Sequence, residues 1–458
     1  MKTLFFVFFY AFLCISCDGL LERETPKNNR EQDISKTIPI FNKNPDHNFQ
    51  LNYPGVPTHE YSSDYHQKDS ANLPKRHLLV WLENPHSEAY VNWGIDGYSK
   101  GMKHTVFVSK SPHFGENLEE NYEIQIPAFE SGLTLNCTNK DANIHAKLEN
   151  LEPNTTYYYV VKSEDQRSKE MHFITSPRDE NVSFKLLSGG DSRTDHSKRR
   201  EMNREIKKLV SMESEYLALI HGGDFISKGK KCKQWYHWRE DHQETILENG
   251  RILPLIPTFG NHEVGGEKNY RSLFNPQDLA NNFYFHTILG SLNLIILNSE
   301  KSVEGDQKDW LQAKLEEISN KTGQFIVVSY HRAAWPAVKN PAATKVWVPL
   351  LEKYQVDLVL ESDGHTMKQT CPIFAGACNK HKGIIYVGEG GLGVKQRLPT
   401  RKFSWYFQGG YALRRHHVQS LYINSYGGAT NRHISYQVFY DDSYHYGILL
   451  PEKLTPGS

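Results

Sequence analysis

The sequence predicts an α/β fold with its helices on the outside, preceded by a small all-β sandwich. Two observations carry this. Residues 74 to 177 hold β-rich runs separated by turn signals, and from Ser183 onward apolar runs alternate with amphipathic stretches. A third observation concerns chemistry. Five short segments at the ends of apolar runs bear carboxylate, amide and imidazole side chains, in one order along the chain.

The 458 residues leave room for two or three domains, taking roughly 150 residues for each. At 38% hydrophobic residues a sizeable core is possible. The 53 basic residues balance 53 acidic ones, which argues against a nucleic-acid-binding surface as the main business.

Residues 1–17 read as a targeting signal. Lys2 is the charged start, Leu4 to Ile15 is apolar, and Ser16-Cys17 ends it. The stretch is too short to span a bilayer comfortably. Cys14-Ile15-Ser16-Cys17 resembles a bacterial lipobox, with Cys17 as the acylated first residue of the mature chain, although Cys14 stands where Leu is usual. This predicts an exported protein held in the cell envelope by an N-terminal lipid anchor. A plain secretory signal is the alternative. Residues 18–73 are polar throughout and read as a spacer, because such a stretch buries too little apolar surface to offset its ordering entropy.

Four of the six cysteines lie beyond the signal: Cys137, Cys232, Cys371 and Cys378. Cys371 and Cys378 flank a short loop that a disulfide could close, which would leave Cys137 to pair with Cys232. Four unpaired buried thiols are the alternative. Asn-x-Ser/Thr sites begin at Asn136, Asn154, Asn181 and Asn320 and matter only in a eukaryotic host.

Within residues 74–177, His77–Leu82, Ala89–Trp93, His104–Val108, Ile144–Leu148, Thr156–Val161 and Met171–Thr175 are the predicted strands. About a hundred residues with this spacing suggest a β-sandwich. Beyond it, Phe184–Leu187, Tyr216–Ile220, Ile252–Ile256, Leu292–Leu297, Phe325–Val328, Val356–Leu360 and Ile384–Val387 read as strands. Lys198–Met212, Gln234–Leu247, Gln307–Ile318 and Lys345–Tyr354 read as helices. Ligands at the carboxyl ends of such strands face a shared crevice. The tail, His417 to Tyr446, returns to strand-like runs and is expected to pair with the sheet. His416 and His417 stand beside arginines and read as solvated surface.

The five segments are Gly190-Asp191, Gly223-Asp224, Gly260-Asn261-His262-Glu263, Tyr330-His331 and Gly364-His365. Hard or borderline cations want these donor types. Glycines before Asp191 let the backbone turn so that the carboxylate can point into the cleft. Any one segment alone is weak evidence, since a lone Asp after Gly-Gly is usually a turn residue. The order and spacing of all five carry the weight.

This set resembles the metallophosphoesterase (calcineurin-like) superfamily, and within it the purple acid phosphatase-like branch. Leu148 to Val161 resembles the strand E to strand F corner of a fibronectin type III domain, with Trp93 as the buried core tryptophan. The resemblance implies a fibronectin type III-like sandwich over 74–177. It also implies a metallophosphoesterase-type β-sheet sandwich flanked by helices over 181–450. The implied activity is hydrolysis of phosphoesters, phosphomonoesters first, by a metal-activated hydroxide.

The implied metals are two divalent or trivalent ions drawn from iron, zinc and manganese. Asp224 would bridge them, Asn261, His331 and His365 would complete one shell, and Asp191 would serve the other. His262 would be the general acid, since imidazole has a pKa near neutrality. Arg193, two after Asp191, would pair with a phosphoryl oxygen.

Two positions depart from the branch. Ser227 stands where its tyrosinate ligand belongs, and Met367 where the second His of Gly-His-x-His belongs. A thioether is a poor ligand for a hard cation. His196 is the candidate replacement, with Asp195 another. Without the tyrosinate no purple colour is expected even if iron binds. A phosphodiesterase on the same scaffold is one alternative, and a lipid-anchored, non-catalytic metal-binding protein with a degenerate site is another. No Gly-x-Ser-x-Gly and no phosphate-cradling Gly-x-x-x-x-Gly-Lys loop is present.

Overall fold

The structure, a computed structural model, describes residues 73–131, 141–276, 280–321, 323–400, 406–425, 432–440 and 445–449, with residues 278 and 402. The expected signal, nearly all of the spacer, and Cys137 lie outside the described residues.

The N-terminal strands form antiparallel ladders. Lys75–Val80 pairs with Ala89–Asp96, which pairs with Asp141–Leu148. His104–Ser109 pairs with Thr156–Ser163, which also carries Met171–Ile174. One further strand, Ile124–Glu130, is not among the predicted runs and contains Pro127. Its first part pairs with His104–Ser109, and Phe129 and Glu130 cross to pair with Asp141–Leu148. Alternation brings apolar side chains inward, and Trp93 is fully buried with its indole N–H donating to Ser163 Oγ at 3.1 Å. The corner before Thr156–Ser163 is pinned by Tyr157, whose hydroxyl accepts the Glu152 N–H at 2.9 Å. That is the bond of a tyrosine corner.

The larger part has two sheets. In the first, Phe184–Gly189, Tyr216–His221 and Leu255–Pro257 run parallel. His417–Asn424 closes one edge antiparallel to Phe184–Gly189, followed by His433–Tyr440 and His445–Leu449. The strand-like tail thus pairs with this sheet. In the second, Leu292–Ile296, Phe325–Arg332, Leu358–Ser362 and Ile385–Gly388 run parallel. Phe285–Leu289 lies antiparallel at one edge and Met367–Gln369 with Tyr411–Leu413 at the other.

Helices cover the sheets. Asp306–Ser319 begins with Asp306 and Asp309, acidic residues that favour a helix N-terminus. Its Leu311, Leu315 and Ile318, spaced for one helical face, pack with Ile295, Ile326 and Val328 of the second sheet. His196–Met212 is capped by Asp195, whose side chain accepts the Lys198 N–H at 3.1 Å. Glu267–Phe274 is a helix that the sequence pattern does not flag. It is short and gains stability from packing, with buried Tyr270 against Phe225, Phe259 and Phe283 and Phe274 against Phe225. Cys371 and Cys378 are joined in a disulfide, Cα atoms 5.7 Å apart.

The sandwich strands and the first sheet share one ladder: Val80 pairs with Leu255 in parallel. Beneath this seam lies Arg239, fully within the interior. Its guanidinium donates to Asn143 Oδ1 and Asn92 Oδ1, each at 2.8 Å, and to the Arg76 carbonyl. Burial, then the nearby Arg76 charge, push its pKa well below the ordinary guanidinium value. Removing it leaves buried oxygens unpaired. Arg239→Met should therefore lower stability by at least about 2 kcal/mol in denaturant unfolding.

Among the described residues, five histidines are held strongly toward the neutral form. Burial is the first cause in each case, and holds His77 and His221 near about 3 and His172, His242 and His417 near about 4. Buried carboxyls run the other way: burial raises Glu263 to about 8 and Glu389 to about 7, and raises Asp224 as well. Below about pH 6.5 these histidines take up protons on unfolding while the raised carboxyls give them up, and the histidines outnumber the carboxyls. The stability tied to neutral histidine is whole above about pH 6.5 and is lost as pH falls toward about 3–4. Urea midpoints of the metal-free protein should drop steeply across that window; a flat profile would contradict these assignments.

Candidate metal centre

The site sits at the carboxyl ends of strands from both sheets. Phe184–Gly189 leads into Asp191, Tyr216–His221 into Asp224, and Leu255–Pro257 into Asn261 and His262. Phe325–Arg332 carries His331, and Leu358–Ser362 leads into Asp363 and His365. Four of these residues are left-handed: Asp191 at φ 57°, Asp224 at φ 56°, Asp363 at φ 69° and His365 at φ 60°. Such backbone costs about 1–3 kcal/mol apiece for a non-glycine residue and persists where the surroundings enforce it. The turn before Asp191 therefore lies in the aspartate itself. The preceding glycines serve close packing instead, a Cβ on Gly190 falling 2.5 Å from Ser362 Oγ.

Asp191, Asp224 and His331 each offer a donor atom within 4.8 Å of the others, all buried. His331 Nε2 lies 3.2 Å from Asp224 Oδ1 and 3.0 Å from Asn261 Oδ1. Its Nδ1–H donates to the Gly222 carbonyl at 2.8 Å, which fixes the ring with Nε2 toward the oxygens. His365 Nε2 lies 3.2 Å from Asp191 Oδ1. The structure therefore brings together Asp191, Asp224, Asn261, His331 and His365.

The donors have the character of a cation site. Asp191 Oδ1, Asp224 Oδ2 and His365 Nε2 are buried without a hydrogen-bond partner. Orphaned carboxylate and imidazole atoms aimed at one another are costly unless a cation joins them. The charges respond to one another. Burial raises Asp191, yet His365, His331 and the Asp363 N–H hold its carboxyl below the usual range. Burial would lower His331, but Asp224, Asp191 and Asp363 lift it to about 9. Asp224 is raised, by burial first and with Asp191 adding to it.

His262 lies at the opening, its side chain 29% exposed, with Nε2 3.7 Å from Asp224 Oδ2. Its Nδ1–H donates to the Ser227 carbonyl at 2.7 Å, so Nε2 is the atom presented to the site. Arg193 Nε lies 3.3 Å from Asp224 Oδ2. The structure does not bring His196 to this group. It sits on the first turn of its helix, half-exposed, with Nδ1 3.0 Å from Arg199 Nη2 and 3.2 Å from Asp241 Oδ2. Asp195 is taken up as the helix cap. Met367 is fully buried in Met367–Gln369, paired opposite Leu413.

Several supporting residues escape a sequence reading. Glu263 is fully buried and its carboxylate accepts the Asp224 N–H at 2.9 Å, the Gly260 N–H at 3.0 Å and the Phe225 N–H at 3.0 Å. It thereby welds the Asp224 turn to the Asn261 turn. Its place beside His262 was the only signal. Gly260 is required there, since a Cβ would lie 2.4 Å from Asp224 N. Gly390, at φ +79°, presses on Asp191 Oδ2, where a Cβ would fall at 1.9 Å.

Asp363 donates its N–H to Asp191 Oδ2 at 2.9 Å and pairs with Lys339. Lys368, fully buried, pairs with Glu361 and lies 3.5 Å from Glu389 Oε1. Glu361 takes the Tyr330 hydroxyl at 2.9 Å, and the Glu389 carbonyl takes the His365 N–H at 2.7 Å, so this pairing underlies both histidine segments. His417 corrects the expectation of solvated surface. It is fully buried, stands against Gly391 and donates Nδ1–H to the Arg415 carbonyl at 3.1 Å.

Known proteins bear on this geometry. The purple acid phosphatase N-terminal domain family matches residues 74–175, and the calcineurin-like phosphoesterase family matches residues 195–369. Purple acid phosphatase 21 of Arabidopsis thaliana is 25% identical, over 56% of this chain and 60% of its own length. Purple acid phosphatase 22 of the same plant is 23% identical, over 54% and 58%. The chain thus spans less than two thirds of these curated relatives. The purple acid phosphatase PPD1 from yellow lupin (Lupinus luteus) seeds shares the fold at a TM-score of 0.66 and 17% identity, covering 82% of this chain and 73% of that one.

If Glu263 holds the two turns in register, Glu263→Ala should weaken metal affinity by about 10–100-fold. Titration of chelator-stripped protein with Zn²⁺ or Mn²⁺ measures this, and unchanged affinity would show that the turns hold without it.

Proposed function

The chain belongs to the metallophosphoesterase superfamily, in its purple acid phosphatase-like branch, and on that premise we propose that it hydrolyses phosphoesters, with phosphomonoesters as the first substrate class. The observation that carries the proposal is the convergence of Asp191, Asp224 and His331, with Asn261 and His365 beside them, at the mouth of two sheets. A metal held there supplies Lewis acidity toward the phosphoryl group and the attacking water.

The chain's own residues do the rest. His262 stands at the rim and gives the Nε2 proton to the leaving oxygen. Its Nδ1–H bond to Ser227 sets which nitrogen faces the substrate. Arg193 places a fixed positive charge beside Asp224, suited to phosphoryl oxygens. Glu263, Asp363 and the Lys368–Glu361 pair keep the turns from shifting as charge moves. Export and anchoring through Cys17 belong to the same proposal. Among the described residues no helix is long and apolar enough to cross a membrane.

The test compares wild type with His262→Ala and His331→Ala after metal reconstitution. His262→Ala should lower kcat by about 10²–10⁴-fold on an alkyl phosphate, whose leaving group needs a proton. It should cost much less on p-nitrophenyl phosphate, whose leaving group does not. His331→Ala should lose metal and activity together on both. Equal activity in all three proteins would end the catalytic reading. Running a bis-ester in parallel separates a monoesterase from a diesterase.

A further inference from the structure

We propose that this centre takes one metal ion, and that the Arg193 guanidinium stands where a second ion would sit. The inference rests on the hydrolase reading and specifies its centre. Two-metal hydrolases hold their ions roughly 3.5–4 Å apart around a shared carboxylate, and each ion needs donors of its own. The carboxylate that could be shared here is Asp224, and its two oxygens face different company.

Oδ1 faces ligands. His331 Nε2 is 3.2 Å away, and Asn261 Oδ1 is 3.0 Å from that same nitrogen. Asp191 joins these within 4.8 Å, and His365 Nε2 follows at 3.2 Å from Asp191 Oδ1. Asp191, Asp224, His331 and Asn261 offer four oxygen and nitrogen donors, enough for a borderline divalent cation, with His365 beside Asp191.

Oδ2 faces Arg193 Nε at 3.3 Å and His262 Nε2 at 3.7 Å. A guanidinium has no lone pair to give and keeps its charge at any working pH. Arg193 is mostly buried there, its side chain 15% exposed, and its carbonyl receives the Ser227 hydroxyl at 3.5 Å. Ser227 is thereby turned toward that backbone. Met367, buried in its strand, offers only a soft thioether. The other nitrogen near Oδ2, on His262, is the proposed proton donor.

Charge points the same way. One dication balances the carboxylates of Asp191 and Asp224. Arg193 then leaves one positive charge over for a phosphoryl group. A second dication beside a guanidinium would meet like charge at close range. Arg193 thus does two things a second ion would do: it lies against Asp224 Oδ2 and attracts the phosphoryl oxygens.

The experiment uses the full chain, stripped with chelator and loaded with Mn²⁺. Bound metal is counted by elemental analysis and its environment read by electron paramagnetic resonance. Wild type should hold about one Mn²⁺ per chain, with the six-line signal of an isolated ion. About two per chain with an exchange-coupled signal overturns the inference and leaves the hydrolase reading intact. No bound metal overturns both.

Arg193→Ala tests the assigned cause. It should raise the count from about one toward two at elevated Mn²⁺, with exchange coupling appearing. A variant that melts like wild type yet stays at one ion, uncoupled at every concentration, removes Arg193 as the excluding group. Should the variant not fold, the wild-type count still decides the claim.

Discussion

Two carboxylates, Asp191 and Asp224, lie buried side by side, and much of the surrounding architecture answers that constraint. Neither can stay ionised in the interior without compensation. Imidazoles come from the second sheet, His331 against Asp224 and His365 against Asp191. Backbone N–H groups come from neighbouring turns, Asp363 to Asp191 and His262 to Asp224. A guanidinium approaches from the solvent side. Asp191 Oδ1 and His365 Nε2, left without a hydrogen-bond partner, are donors open to a metal ion.

Such an arrangement needs turns that do not relax. Left-handed backbone at three ligand residues would be unstable in isolation. Glu263 offsets this by accepting three N–H groups from the turns it joins, and glycines at 260 and 390 allow approaches that any side chain would block. Below them the Lys368–Glu361–Glu389 group occupies the interior between the histidine segments. Buried polar groups of this kind contribute little net stability but fix one geometry, which is what a metal shell requires.

The N-terminal sandwich is part of the same framework. Its first strand extends the sheet that carries Asp191 and Asp224, and Arg239 binds oxygen atoms on three of its strands. A module joined by a shared ladder and a buried guanidinium is positioned with the site it adjoins. A linker would not provide that.

The sequence by itself determined a good deal. β-rich runs separated by turn signals marked the sandwich strands, and apolar runs alternating with amphipathic stretches marked the parallel sheets and most helices. Resemblance to a fibronectin type III corner marked Leu148 to Val161, and five ligand segments in order supplied the donors. These are local signals, carried by side-chain type and spacing. Tertiary structure alone decided the rest. His196 has the right chemistry and the right distance along the chain, yet the helix capped by Asp195 aims it at Arg199 and Asp241. His417 sits among arginines in sequence, yet strand pairing buries it beside Gly391. Glu263, Asp363 and Lys368 act through partners brought from elsewhere in the chain. The place of Arg193 against Asp224 depends on two turns from different strands meeting. The physical reason is the same in each case: a side chain's type is written locally, but its electrostatic surroundings come from segments that only folding brings within a few ångströms.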